Sequence, residues 1–144
     1  IRDSIEGNAA DENLINWDSK ELKRFYVEEA EVIRTLEQHL QNIGQNKSVA
    51  VICPTYAIAE SLEKQLRNTI LENFRESHVS QHSNELNKPF YIHFTTPKPT
   101  KGLEFDIVLI PYYNKFNFDE RLEANHQYVA VSRPKEQLIL INVE

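Results

Sequence analysis

The feature that most constrains the fold is a buried-type apolar run, Val49-Ala50-Val51-Ile52-Cys53, followed by a two-residue turn and a long amphipathic stretch. Pro54-Thr55 makes the turn, and Tyr56 to about Phe74 carries Ile58, Leu62, Leu66 and Ile70 at helical spacing. A strand that is apolar at every position, rather than at alternate ones, is covered on both faces, and a helix directly after it returns the chain for a parallel neighbour. Two more apolar runs, Phe105 to Tyr112 and Gln137 to Val143, supply such neighbours, and Phe90 to Thr95 reads as a further strand. Between the last two runs, Asp119 to Ser132 reads as a helix with Leu122, Tyr128 and Val131 turned inward. The expected fold is α/β: an open, mostly parallel sheet with helices on both faces.

The flanking segments are less constrained. Residues Ile1 to Asp18 are polar and weakly patterned, with Trp17 as the one large anchor, and read as an N-terminal edge segment. From Ser19, which can cap, the residues Leu22, Phe25, Ala30, Ile33, Leu36, Leu40 and Ile43 recur near the helical period until Gly44, predicting one long helix. Residues 19–144 then form the domain proper. Arg75 to Lys88, rich in Ser, His and Asn, reads as a surface loop closed by Pro89. Pro97 and Pro99 forbid regular pairing between the strands on either side of them.

With 144 residues, 40% of them hydrophobic, the chain is long enough for one real core. It neither begins with nor contains methionine, which reads as a fragment of a longer polypeptide. No apolar run is long enough to cross a bilayer, so a soluble, cytoplasmic domain is expected. Cys53, the single cysteine, has no partner for a disulfide or a thiolate metal site and is expected to be buried and inert. A formal net charge of −6 is the wrong sign for a protein that holds nucleic acid by overall charge, so any such contact must be local.

In a parallel sheet the working crevice lies at the carboxyl ends of the strands. Pro54-Thr55, the Thr95 to Lys101 segment and the Tyr112 to Phe118 loop are expected there. Gly102 permits a positive-φ turn or a close backbone approach. Asp106, at the entry to an apolar run, reads as a capping group. His78 and His82 are four residues apart, yet without a third ligand they read as solvated. Tyr112, Tyr113, Phe116 and Phe118 read as a cover for the core rather than as a stacking platform.

Two strings carry a resemblance: Lys101-Gly102-Leu103-Glu104-Phe105-Asp106 and Tyr128-Val129-Ala130-Val131-Ser132-Arg133, each joined to an apolar strand. With the Val49 to Leu66 block, they are similar in order and spacing to the C-terminal RecA-like motor domain of UvrD/Rep-type superfamily-one DNA helicases. The two strings match the helicase motifs usually called V and VI. The resemblance implies that Arg133 is an arginine finger for a nucleotide shared with another domain, and that Gly102 and Glu104 approach that nucleotide, Glu104 at the ribose hydroxyls. It also implies that Thr96, Lys98 and Lys101 touch the phosphates of single-stranded DNA, RNA not being excluded. The chain departs from the pattern at Lys98, where relatives usually carry histidine, at Pro54, where many carry a basic residue, and at Pro134, where alanine is commoner.

No GKT or GKS phosphate loop and no acidic magnesium-binding strand end occurs in the chain. The resemblance therefore implies that ATP and its magnesium are held by an N-terminal RecA-like domain, and that this domain alone is not an ATPase. The distance between the second helix and the motif V string leaves no room for a large inserted subdomain, as in a compact family member. A non-catalytic module on the same fold, binding nucleic acid or protein, is the alternative. A nuclease centre built on Lys101, Glu104 and Asp106 is a remoter one.

Overall fold

In the computed structural model, residues 21–116 and 130–144 are described. They form a six-stranded sheet in which every pairing is parallel, in the order β1-β6-β5-β2-β4-β3. The strands are β1 (Glu21–Val27), β2 (Val49–Ile52), β3 (Glu76–Val79), β4 (Tyr91–Thr95), β5 (Phe105–Pro111) and β6 (Pro134–Val143). Among the described residues, α1 (Val32–Gln41) and α2 (Tyr56–Glu72) lie between them, and Ala130 and Val131 are also helical. The open parallel sheet expected from the apolar runs is what the chain forms.

Alternation along each buried strand divides the core in two. Val49, Val51, Ile92, Phe94, Leu109, Ile139 and Ile141 face α1 and α2, which contribute Leu36, Leu40, Leu62 and Leu66 among others. Ala50, Ile52, Val108, Ile110, Leu138 and Leu140 face the other way, against Leu86, Tyr113, Phe116 and the helical residues Ala130 and Val131. Tyr113 and Phe116 do cover the core, while Phe118 lies outside the described residues. Phe105 joins the second layer out of step with Ile107, because the β5–β6 register shifts between them. That irregularity falls where the motif V string enters the sheet.

Two expectations about secondary structure are overturned. The stretch from Ser19 is not one helix: Glu21–Val27 is an edge strand paired with β6 over its whole length, and only Val32–Gln41 is α-helical. Leu22 packs on one side of the sheet and Phe25 and Val27 on the other, which is the period-2 pattern of a strand. Leu22 and Phe25 are three apart, a spacing that a helix shares, so the strand and the helix after it run together into one apparent stripe. Arg75 to Lys88 is not simply a loop either. Glu76–Val79 is the opposite edge strand, hidden in the sequence because its side chains meet polar partners: Ser77 donates to Glu63 at 2.6 Å, and His78 Nε2 lies 2.7 Å from His93 Nδ1. The remaining sequence-based elements on residues 1–18 and 119–129 lie outside the described residues.

One buried side chain fastens this edge. Arg75 is only 3% exposed and donates to the carbonyls of Gly44, Lys47, Phe90 and Tyr91 at 2.8–3.3 Å. Its Nη1 bond to Gly44 and its Nη2 bond to Lys47 hold the α1–β2 turn, and the other two hold the start of β4. Cys53 is fully buried, and burial pushes its thiol well above the ordinary range, so it is inert as expected. No helix among the described residues is long and apolar enough to cross a membrane.

Candidate nucleotide and nucleic-acid edges

Because all six strands run the same way, a residue just after a strand and a residue just before one stand at opposite edges of the sheet. The carboxyl edge expected for Pro54-Thr55 and the Thr95 to Lys101 segment is thereby distinguished from the edge that holds Arg133, whose placement the strand rule leaves open. Thr96 and Lys98 follow β4 and sit at the carboxyl edge, together with Pro54 and Thr55. Gly102 and Glu104 precede β5, and Arg133 precedes β6, so these three sit at the amino edge.

The carboxyl edge holds a cleft of about 570 Å³ lined by Pro54, Thr55, Gln81, Thr96 and Lys98 among others. Helix α2 opens onto it. The Thr55 hydroxyl accepts from the Ile58 N–H at 3.2 Å and caps the first turn, so the positive end of a 17-residue helix faces the cleft. The opposite wall is stiff. Pro97 to Thr100 forms a tight turn in which Thr100 Oγ1 donates to the Pro97 carbonyl at 2.6 Å, and Ser83 Oγ donates to the Pro99 carbonyl at 2.6 Å. Lys98 is exposed on that turn. An ammonium, a hydroxyl and a helix N-terminus are the groups that hold a phosphate oxygen. Lys101 is exposed beyond the turn and does not line the cleft.

At the amino edge, Gly102 stands at φ +81° with open space where a Cβ would be. The turn itself, and not a close neighbour within the domain, therefore requires glycine. The turn is closed by the Leu103 N–H donating to the Thr100 carbonyl at 2.9 Å, and it leaves Glu104 exposed. Arg133 lies against the same turn. Its Nη1 donates to the Leu103 carbonyl at 3.1 Å and to the Thr100 carbonyl at 3.3 Å, and its Nη2 donates to Ser132 Oγ at 2.9 Å. Its own carbonyl accepts from the Phe105 N–H at 3.0 Å. The two strings singled out in the sequence are thus joined through Arg133, which is half-buried. The helical backbone ends at Val131 and Pro134 is the first residue of β6, so Ser132 and Arg133 are the two-residue link between helix and strand. Sequence reasoning missed Ser132 and the two carbonyls as partners of this guanidinium, since backbone acceptors leave no mark in a sequence.

Asp106 belongs to the scaffold, as expected of a capping group. It accepts from the Ser48 N–H at 2.9 Å while Ser48 Oγ accepts from the Asp106 N–H at 2.8 Å, and Lys135 lies 3.4 Å away. Burial opposes its ionisation, yet the Ser48 N–H and the Lys135 ammonium hold the carboxyl below the usual carboxylate range. Among the described residues no three metal-ligating side chains cluster. His78 does not pair with His82; its partner is His93, which is 1% exposed and has its pKa pushed down to about 4 by burial and then by His78.

Comparison with known proteins places these observations. The C-terminal domain of a possible DNA helicase from Lactobacillus plantarum WCFS1 superposes with a TM-score of 0.62 at 27% identity, covering 88% of this chain and 74% of that one. The C-terminal domain of the DEAD-box protein Dbp5 superposes with a TM-score of 0.55 over 90% of this chain and 79% of that one; at 14% identity it shows the fold alone. The fold is that of the RecA-like C-terminal domains of helicases. No curated protein sequence matches the chain. Residues 10–142 match the family described as the viral superfamily 1 RNA helicase core domain. With nearly its whole length inside that match, the chain belongs to the viral superfamily 1 RNA helicase core domain family.

Proposed function

We propose that this domain is the second motor domain of an ATP-dependent superfamily-one helicase of UvrD/Rep-like type, working on single-stranded DNA in the cytoplasm with an N-terminal RecA-like domain of the same polypeptide. Arg133 is the finger that neutralises charge on the transferring phosphoryl group, a role for a planar, permanently charged guanidinium. Glu104 accepts the ribose hydroxyls, and Gly102 gives the turn that presents it. Thr96, Lys98 and Lys101 contact nucleic-acid phosphates. The N-terminal domain holds the triphosphate and magnesium, so this domain alone does not turn ATP over. The observation that carries the reading is the joining of the two strings: Arg133 is hydrogen-bonded to the carbonyl of Leu103, the residue before the exposed Glu104.

The experiment is ATP turnover, with and without single-stranded DNA, by the polypeptide in which this domain follows its N-terminal partner, wild type beside Arg133→Ala. Loss of about 10³-fold or more in turnover with nucleotide affinity retained supports the finger. Retention of turnover in the variant removes it. RNA as the stimulating strand is the parallel arm, since the matched family is one of RNA helicases.

A second reading has an observation of its own. The Arg133 guanidinium donates to Ser132, Thr100 and Leu103 within the domain, as a structural arginine does. On that reading the domain is a non-catalytic module that binds nucleic acid or protein, and Arg133→Ala lowers stability rather than turnover.

A further inference from the structure

The strand order ends at β3, and the outer side of that strand is open among the described residues. The Glu76 and Ser80 N–H groups donate to the carbonyls of Phe90 and Phe94 at 3.2 and 3.1 Å, so Glu76, His78 and Ser80 are the residues whose main chain faces β4. By alternation, Ser77 and Val79 turn their N–H and C=O groups away from the sheet. After β3 the chain crosses to the opposite face, where Leu86 packs with residues of β2 and β5, and does not return over this side. Arg75 already fixes the strand through the carbonyls of Gly44, Lys47, Phe90 and Tyr91, so the open edge needs no ordering before it pairs.

Helix α2 flanks this edge. It rests on β3 and β4: Glu63 accepts from Ser77 Oγ at 2.6 Å, while Leu66 and Ile70 join Ile92 and Phe94 in the core. At helical spacing to either side of Glu63 stand Tyr56 and Glu60 toward the start of the helix, and Arg67 and Leu71 toward its end. Leu71 is 50% exposed, and the Arg67 side chain is 56% exposed although it is bonded to Glu63 at 2.7 and 2.9 Å. Helix α1 lies on the other side of α2, where Thr69 donates to Glu37 at 2.9 Å, so it leaves this stripe open. An acid one turn before Glu63 and a base one turn after it make the stripe complementary to its own reverse.

We propose that β3 is a dimer edge and that its partner is a second copy of this chain, joined antiparallel about a two-fold axis at His78. Ser77 of one copy then meets Val79 of the other, and each such pair exchanges both of its N–H···O bonds, which uses every outward group of the strand. The same axis sets α2 antiparallel to its copy. Because Glu63 is held at Ser77, beside the axis, residues equally far to either side of it come together: Glu60 against Arg67 of the second copy, and Tyr56 against its Leu71. With α2 seated over β3 and β4, the two helix axes stand about two strand spacings apart, roughly 10 Å, the distance at which helices pack. A second copy fits where an arbitrary strand does not, because it brings the opposite charge to both ends of the stripe. The pairing goes beyond the motor reading and needs no nucleotide.

The test is sedimentation equilibrium of this chain at rising concentration, for wild type and Glu60→Arg, with amide hydrogen exchange on both. Glu60 is exposed on the helix surface, so the variant keeps the fold while setting arginine against arginine. Wild type is expected to pass from monomer to dimer below about 1 mM, and Glu60→Arg to weaken the dimer about tenfold or more. The Ser77 and Val79 amides are expected to gain protection as the dimer forms, while the His78 amide, which faces β4, does not change. A chain that stays monomeric throughout that range would overturn the proposal. So would a dimer whose Ser77 and Val79 amides exchange as in the monomer, or one that Glu60→Arg leaves as tight as wild type. A monomer in which those two amides are protected only by an added extended peptide would make the edge a site for another protein and rule out the second copy.

Discussion

The two edges of the sheet carry different kinds of chemistry on the same nine-residue link. Residues 96–104 leave β4 at the carboxyl edge and enter β5 at the amino edge. The carboxyl edge offers a stiff, open cleft with an ammonium, hydroxyls and a helix N-terminus, suited to binding an anion without changing it. The amino edge places a guanidinium against the glycine turn that leads into an exposed carboxylate, suited to a ligand with both phosphates and hydroxyls. A chain of hydrogen bonds through Thr100 links them, since Thr100 donates its N–H and hydroxyl to Pro97 and accepts from Arg133 and the Leu103 N–H. The lesson is that one rigid connection, too short for a helix, can serve both sides of a parallel sheet.

The largest expected effect sets the edges furthest apart. Arg133→Ala should lower ATP turnover of the joined motor by about 10³-fold while leaving single-strand affinity within a few-fold. Equal loss of both would break the division of labour. Next comes acid sensitivity near the amino edge. His93 is neutral in the folded chain with a pKa near 4, against an ordinary value near 6.5, so the unfolded chain takes up its proton first as pH falls. The contribution is complete above about pH 6.5 and is lost between there and about pH 4, by up to about 3 kcal/mol. Urea unfolding at pH 7 and pH 5, repeated for His93→Gln, reads it, and an unchanged pH slope in the variant would exclude the histidine pair as its source.

A smaller effect tests the turn. Gly102→Ala should cost about 1 kcal/mol in thermal or urea unfolding, because φ +81° strains any side chain although the space around it is open. Neutrality would mean the turn relaxes, and a cost well above that would mean Glu104 and Arg133 depend on it. The smallest effect belongs to the carboxyl edge. Lys98→Ala should weaken single-strand binding only a few-fold and reduce the salt dependence by about one phosphate contact, with ATP turnover at saturating strand unchanged. A change in turnover there would show that the Thr100 link transmits.

Legibility in the sequence followed the depth of burial. β2, β5 and β6 are apolar on both faces and could be read directly, as could α2 with its capping threonine. β1 was absorbed into the helix after it because Leu22 and Phe25 fit both periods, and β3 was hidden by Ser77 and His78, whose partners come from α2 and β4. Of the site, Gly102, Glu104 and Arg133 were visible as strings, and their proximity is what the fold adds. Their separation from Thr96 and Lys98 was readable in principle, since one group follows a parallel strand and the other precedes one. Arg75 left no such signal, because nothing local distinguishes an arginine that will bind four carbonyls from one in solvent.

That arginine has a consequence for how the molecule opens. An edge strand of four residues ordinarily unzips alone, and its amides exchange with solvent far faster than those of the central strands. Here the residue before β3 is bonded to the turn entering β2 and to the first residues of β4, so peeling β3 away strands a buried charge and releases both neighbours. The His78 amide, which faces β4, should therefore exchange at the rate of global unfolding, and the outermost strand should be among the last parts of the domain to let go.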